Sequence, residues 1–172
     1  VLTRIPQKDW YPTERGFFPG ALYNEMIRNS RIWMLTGDLG YGQFDKIRDD
    51  FPDRFMTCGA SEQAMVGIAI GLAMEGFIPF VHTMSSFLLN RPYEWIRNYL
   101  NKESIPVKLV GSGRGLDYHI DSFTHEAEDT KYILDGFPNI VQFWPEDKFC
   151  VEEMVHEMVI NGKPSFISLT KA

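Results

Sequence analysis

Residues 55–81, FMTCGASEQAMVGIAIGLAMEGFIPFV, decide how the chain folds. A β-rich run at 55–57 leads into a small polar turn at 58–63. An apolar stretch with helical spacing covers 61–75. Gly76 then releases the chain into a second β-rich run at 78–81. A strand, a helix and a strand of this size make a crossover unit with parallel strands. Such crossovers are right-handed in nearly all folds. The helix is unusual in carrying Ala64, Gly67, Ala69, Gly71 and Ala73. Each glycine costs about 1 kcal/mol of helix stability against alanine. A close approach must offset that cost, either to the sheet or to another subunit.

The same alternation extends in both directions. Further β-rich runs lie at 32–35, 107–110, 140–143 and 166–169. Helical stretches lie at 18–28, 86–101, 125–134 and 146–160. Six strands with helical crossovers predict a three-layer α/β/α fold around a six-stranded, mainly parallel sheet. Residues 1–16, polar and without periodicity, read as an N-terminal arm, and 17–172 as one domain. Ligands in such sheets sit at the carboxyl ends of the strands. That singles out 36–42, 58–63, 82–87 and 111–125.

The composition narrows the function. Of 172 residues, 44% are hydrophobic, enough for a full core and too many for a disordered chain. Seventeen Lys and Arg against 23 Asp and Glu leave a net charge of −6 with no basic tract, so no nucleic-acid surface is expected. The longest apolar stretch, 64–74, is too short to span a bilayer. Two distant cysteines, Cys58 and Cys150, with no CxxC, point to a reducing, cytoplasmic setting. A start at Val1 reads as a trimmed or processed product.

Several motifs compete for the chemistry. Gly111-Ser-Gly113-Arg-Gly115 follows a strand, but a dinucleotide loop needs glycine where Leu116 stands and a helix at once. An active-site loop fits better. Asp38, at a strand-end turn, reads equally as a turn cap or a ligand. Glu62, taken by itself, is a favourable carboxylate at a helix N-terminus. His119, Asp121 and His125 crowd into seven residues of loop, which suits a substrate or proton-transfer site. No further ligand makes them a metal set. His82 reads equally as a core histidine or a site residue, and His156 as structural. The Gly-Asp-Gly motif that holds Mg and a diphosphate is not found in the chain.

Together these pieces resemble one family. Cys58-Gly-Ala-Ser-Glu62-Gln-Ala-Met65, then Gly71-Leu-Ala, Gly76 and Pro79, resembles the pyrimidine-binding (Pyr) domain of transketolases and deoxyxylulose-phosphate synthases. Arg91-Pro-Tyr-Glu-Trp-Ile-Arg97-Asn, Asp121-Ser-Phe-Thr-His125, Phe137-Pro-Asn-Ile with Trp144-Pro-Glu-Asp, and Thr36-Gly-Asp38 resemble other segments of that family, in order from about residue 20 to 171.

The resemblance implies a thiamine-diphosphate-binding fold and reverses the reading of Glu62. A family glutamate here hydrogen-bonds N1′ of the cofactor's aminopyrimidine and favours its imino tautomer. The imino nitrogen can then take the thiazolium C2 proton. Such a carboxyl needs a dry pocket. By the same resemblance, Phe87 packs on the pyrimidine and Tyr93 supplies a second ring. Asp38 lies near the pyrimidine at a subunit interface. Asp121 and His125 meet substrate hydroxyls and the reacting oxygen, with His119 or His82 assisting. Lys171 stands where an arginine takes a sugar phosphate.

There are departures. Ser122 replaces a usual glycine, Glu126 a glutamine, and Gly42 a phosphate-binding serine. The first helix starts at Phe18-Pro19 rather than at the family's phosphate-binding arginine.

In this family a separate PP domain holds Mg and the diphosphate, in an oxygen-rich site. The resemblance therefore implies a transketolase-like transferase of a two-carbon ketol or acyl unit. It would work with a PP-domain partner chain, or as a fragment of a longer protein, with Pyr units pairing in a heterotetramer. The alternatives are a subunit of a 2-oxo acid decarboxylase or dehydrogenase, and a non-catalytic assembly module that keeps the fold.

Overall fold

A computed structural model describes residues 2–171. Six strands, β1 (Ile32–Thr36), β2 (Phe55–Thr57), β3 (Ile78–Met84), β4 (Lys108–Ser112), β5 (Val141–Phe143) and β6 (Ser165–Leu169), form one sheet in the order β2-β1-β3-β4-β6-β5. Every pairing is parallel, so the expected sheet is present and wholly rather than mainly parallel. Helices cover both faces. On one side, α1 (Glu14–Arg28), α2 (Asp45–Asp50) and α7 (Cys150–Ile160) pack Phe18, Leu22, Ile47 and Val155 against Met34, Phe80 and Ile167. On the other, α3 (Glu62–Met74), α4 (Ser85–Asn90) and α6 (Thr130–Asp135) pack Met65, Ala69, Leu88 and Leu134 against Leu35, Val81 and Leu109. All these core side chains are buried. The middle strands are apolar on both faces because both faces are covered.

The last helix, α7, starts at Cys150 rather than at 146, and the helix boundaries correct the sequence reading in three further places. First, α1 begins four residues before Phe18. Thr13 caps it by accepting from the Gly16 amide at 3.0 Å, a standard helix start. Pro19 therefore lies inside the helix, and Arg15 joins its first turn. Second, the helix expected over 86–101 is broken. It stops at Asn90, resumes as α5 (Tyr93–Trp95) and continues as a π-helical segment, Ile96–Lys102. Pro92 cannot donate the amide that would bridge the pieces. Third, 126–129, within the helix expected over 125–134, is not helical. The Ala127 amide donates to the Gly115 carbonyl at 2.8 Å, diverting the chain into a bridge, and α6 starts only at Thr130.

Neither glycine of α3 packs against the sheet. A Cβ on Gly67 would stand 3.3 Å from the Trp95 ring, so that glycine permits close packing of α3 on α5. A Cβ on Gly71 would meet nothing within 4 Å. With exposed Ala64, Ile68 and Met74, Gly71 forms an outward face.

Candidate active site

Strand β3 organises the site. Successive side chains of a strand point to opposite faces. Val81 and Thr83 face α3, while Phe80 and His82 face α1. Two recesses open at the carboxyl end of the sheet, one on each side of this strand.

The first recess is a groove of about 810 Å³ lined by Ser61, Glu62, Gly67, Arg91 and Trp95, among others. Glu62 is the first residue of α3, and only 3% of it is exposed. Its carboxylate accepts from Thr83 Oγ1 at 3.4 Å and from the Arg91 guanidinium at 2.6 Å. The Arg91 guanidinium also lies over the Phe87 ring, 3.8 Å from its centroid. A buried carboxylate and the face of an aromatic ring thus converge on one flat group. Glu62 itself is buried, but it pairs with a half-exposed cation that the sequence did not signal. A flat heteroaromatic ring fits this pair of contacts, because a planar guanidinium already makes both.

The second recess is a cleft of about 480 Å³ lined by Arg15, Asp38, Tyr41, His82, Tyr118, Asp121 and His125, among others. His82 is fully buried. It stacks on Phe18 and meets the edge of Phe44, with centroids 6.2 and 4.9 Å away. Its Nδ1 lies 3.5 Å from Thr36 Oγ1, and its Nε2 has no hydrogen-bond partner among the described residues. Burial, with the Arg15 guanidinium nearby, pushes His82 down to about 3. The ring is therefore neutral at pH 7. Arg15 donates to the Tyr118 hydroxyl, and its Nε is likewise unpartnered among the described residues. Asp38 accepts from the Tyr41 hydroxyl.

His125 joins the two recesses. It lines the cleft, and its ring meets the edge of Phe87 at 4.9 Å. Its Nδ1 is 3.0 Å from Thr124 Oγ1. The structure thus gathers Asp38, His82, Asp121 and His125 in the cleft, with Glu62 and Phe87 beside it. It does not gather the other predicted residues. His119 is exposed and turns its Nδ1 to the Leu116 carbonyl at 3.1 Å. Tyr93 packs on Phe137, 5.3 Å between centroids. Lys171 lies over the Tyr118 ring at 5.2 Å. Sequence reasoning missed Arg15, Tyr118 and Arg91. For Arg15 the available signal was Thr13, a good N-cap residue.

Ser122 explains one departure. Its φ is 80° and ψ 167°, a region that glycine enters freely and other residues only with strain. Ser122→Gly is expected to raise stability by about 1 kcal/mol, read as a higher denaturant midpoint in urea unfolding. A lowered midpoint would show that the loop carries no such strain.

The family model described as "Transketolase, pyrimidine binding domain" matches residues 13–172. The chain belongs to this family. This pyrimidine-binding domain is 32% identical over 157 residues to 1-deoxy-D-xylulose-5-phosphate synthase of Syntrophus aciditrophicus (strain SB), a match covering 91% of this chain and 24% of that protein. It is 26% identical over 158 residues to 6-deoxy-6-sulfo-D-fructose transketolase subunit SqwH of Clostridium sp. (strain MSTE9), covering 91% of this chain and 49% of that one. A solved structure described as "Split gene transketolase, inactive beta4 tetramer" superposes with a TM-score of 0.82 at 27% identity, over 94% of this chain and 52% of that one. The domain therefore spans between a quarter and about half of the length of these relatives.

Proposed function

We infer that the chain is the pyrimidine-binding half of a thiamine-diphosphate-dependent ketol transferase. One observation carries the reading: a buried glutamate, Glu62, lines a groove where one planar group, the Arg91 guanidinium, meets both its carboxylate and the face of Phe87. When bound, thiamine diphosphate supplies the nucleophilic carbon that carries a two-carbon unit from donor to acceptor. Glu62 shares a proton with N1′ of the aminopyrimidine, and the surrounding burial keeps that proton from water. Phe87 presents its ring face to the pyrimidine.

On the other side of β3, His125 and Asp121 meet the reacting oxygen and the substrate hydroxyls. Neutral His82 offers Nε2 to the same cleft, and Asp38 stands at its rim. Arg15 supplies a fixed positive charge for an anionic end of the substrate. Mg and the diphosphate belong to a PP domain outside these residues, in a partner chain or elsewhere in a longer protein. Relatives two to four times as long, and a split-gene neighbour, support that division. The outward face of α3, with Ala64, Ile68, Gly71 and Met74, is proposed to meet a second Pyr unit. A cytoplasmic setting accords with the two free cysteines.

The test is reconstitution with the domain that carries the diphosphate site. The assembly is expected to move a two-carbon ketol unit from a ketose to an aldose only when thiamine diphosphate and Mg are added. Release of carbon dioxide from 2-oxo acids, without ketol transfer, would assign it to the decarboxylases instead. Calorimetry without any heat of cofactor binding would leave a non-catalytic module.

A further inference from the structure

We propose that Arg91 is a latch that closes the pyrimidine site until the cofactor displaces it. The inference rests on the reading of Glu62 and Phe87 given above and goes one step beyond it. That reading gives the aminopyrimidine two contacts, a ring face and a carboxylate. Both are made by Arg91, whose guanidinium stacks on Phe87 at 3.8 Å and donates to Glu62 Oε2 at 2.6 Å. Guanidinium is planar, weakly hydrated and stacks on aromatic rings. It occupies the space and the hydrogen-bonding role of a flat heterocycle.

The latch has a reason to close. A buried carboxylate left without a cation is costly, and apart from Arg91 the only donor to Glu62 among the described residues is the Thr83 hydroxyl at 3.4 Å. It also has room to open. The Arg91 side chain is 44% exposed, whereas that of Glu62 is 3% exposed. Arg91 sits at the break between α4 and α5, just before Pro92 and the π-helical segment. Irregular turns of this kind are common where a helix must yield at a functional site. Arg91 is thus a positioning residue for Glu62 in the closed site, and a competitor of the pyrimidine.

A closed latch lowers apparent affinity by the fraction of molecules that are open. In the chain assembled with its diphosphate-binding domain, Arg91→Gln is expected to bind thiamine diphosphate with Mg about fivefold more tightly or better by calorimetry. Arg91→Lys, which keeps a point charge but cannot lie flat, is expected to fall between. Raising the salt should tighten cofactor binding to Arg91-containing protein relative to Arg91→Gln, because it screens the half-exposed ion pair. In a Glu62→Ala background the advantage of Arg91→Gln should vanish. If Glu62→Ala loses turnover as expected but both Arg91 variants bind the cofactor equally or more weakly than the parent, the latch is overturned and the pyrimidine site stands. If Glu62→Ala alters neither cofactor binding nor turnover, the site reading fails and the latch with it.

Discussion

Glu62→Ala is expected to reduce turnover of the reconstituted enzyme by roughly 10²- to 10⁴-fold, the range for losing a positioned proton-transfer group. The fold should survive the change. Removing one partner of a buried ion pair is severe when the remaining charge is trapped. Here the remaining charge is Arg91, whose side chain is 44% exposed and can turn to water. Thr83 loses only a long 3.4 Å hydrogen bond. Thermal melting beside steady-state kinetics separates the two effects. Turnover within a few-fold of the parent, at unchanged stability, would remove Glu62 from the chemistry.

Acid should destabilise the domain through His82. Its native ring resists protonation down to about 3, whereas in the unfolded chain it titrates near 6.5. Between these values the unfolded state binds a proton that the native state refuses. The contribution of His82 is therefore complete above about pH 6.5 and is lost as pH falls toward 3, at about 1.4 kcal/mol per pH unit. From pH 6.5 to 5.0 the loss is about 2 kcal/mol. Urea unfolding at a series of pH values reads it directly. His82→Leu should flatten that part of the profile. Parallel profiles for the two proteins would place the acid sensitivity elsewhere.

The strands were legible because each contains a short apolar run, in most of them with β-branched or aromatic residues, and all six lie within a few residues of where the pattern puts them. Helices were less so, wherever tertiary contacts outweighed local preference. The stretch after His125 has helical composition, yet the Ala127–Gly115 bridge claims its backbone. Reading 1–16 as a polar arm without periodicity put the start of α1 four residues late, and this hid Arg15. His82 looked like a residue beyond the end of a strand, but β3 continues to Met84. Of the site, positions carried by a motif were legible: Glu62 lines the groove and His125 the cleft. Arg91 was quoted within a motif, but its contact with Phe87 and Glu62 depends on the break at Pro92, which no periodicity announces.

Strand β3 carries a consequence for how this site can change. Its odd-numbered and even-numbered residues face different recesses: Thr83 donates to the Glu62 carboxylate in the groove, and His82 lines the cleft. Parity along seven residues is thus a wiring rule. Sliding the strand by one residue would turn His82 toward the groove and Thr83 toward the cleft. Sliding it by two would restore their facing but carry each about 6.6 Å along the sheet, away from its recess. The loops around the sheet can therefore change in length without disturbing this arrangement, because the alternation within β3 itself fixes which face each residue takes, whereas an insertion or deletion inside the strand would disrupt it.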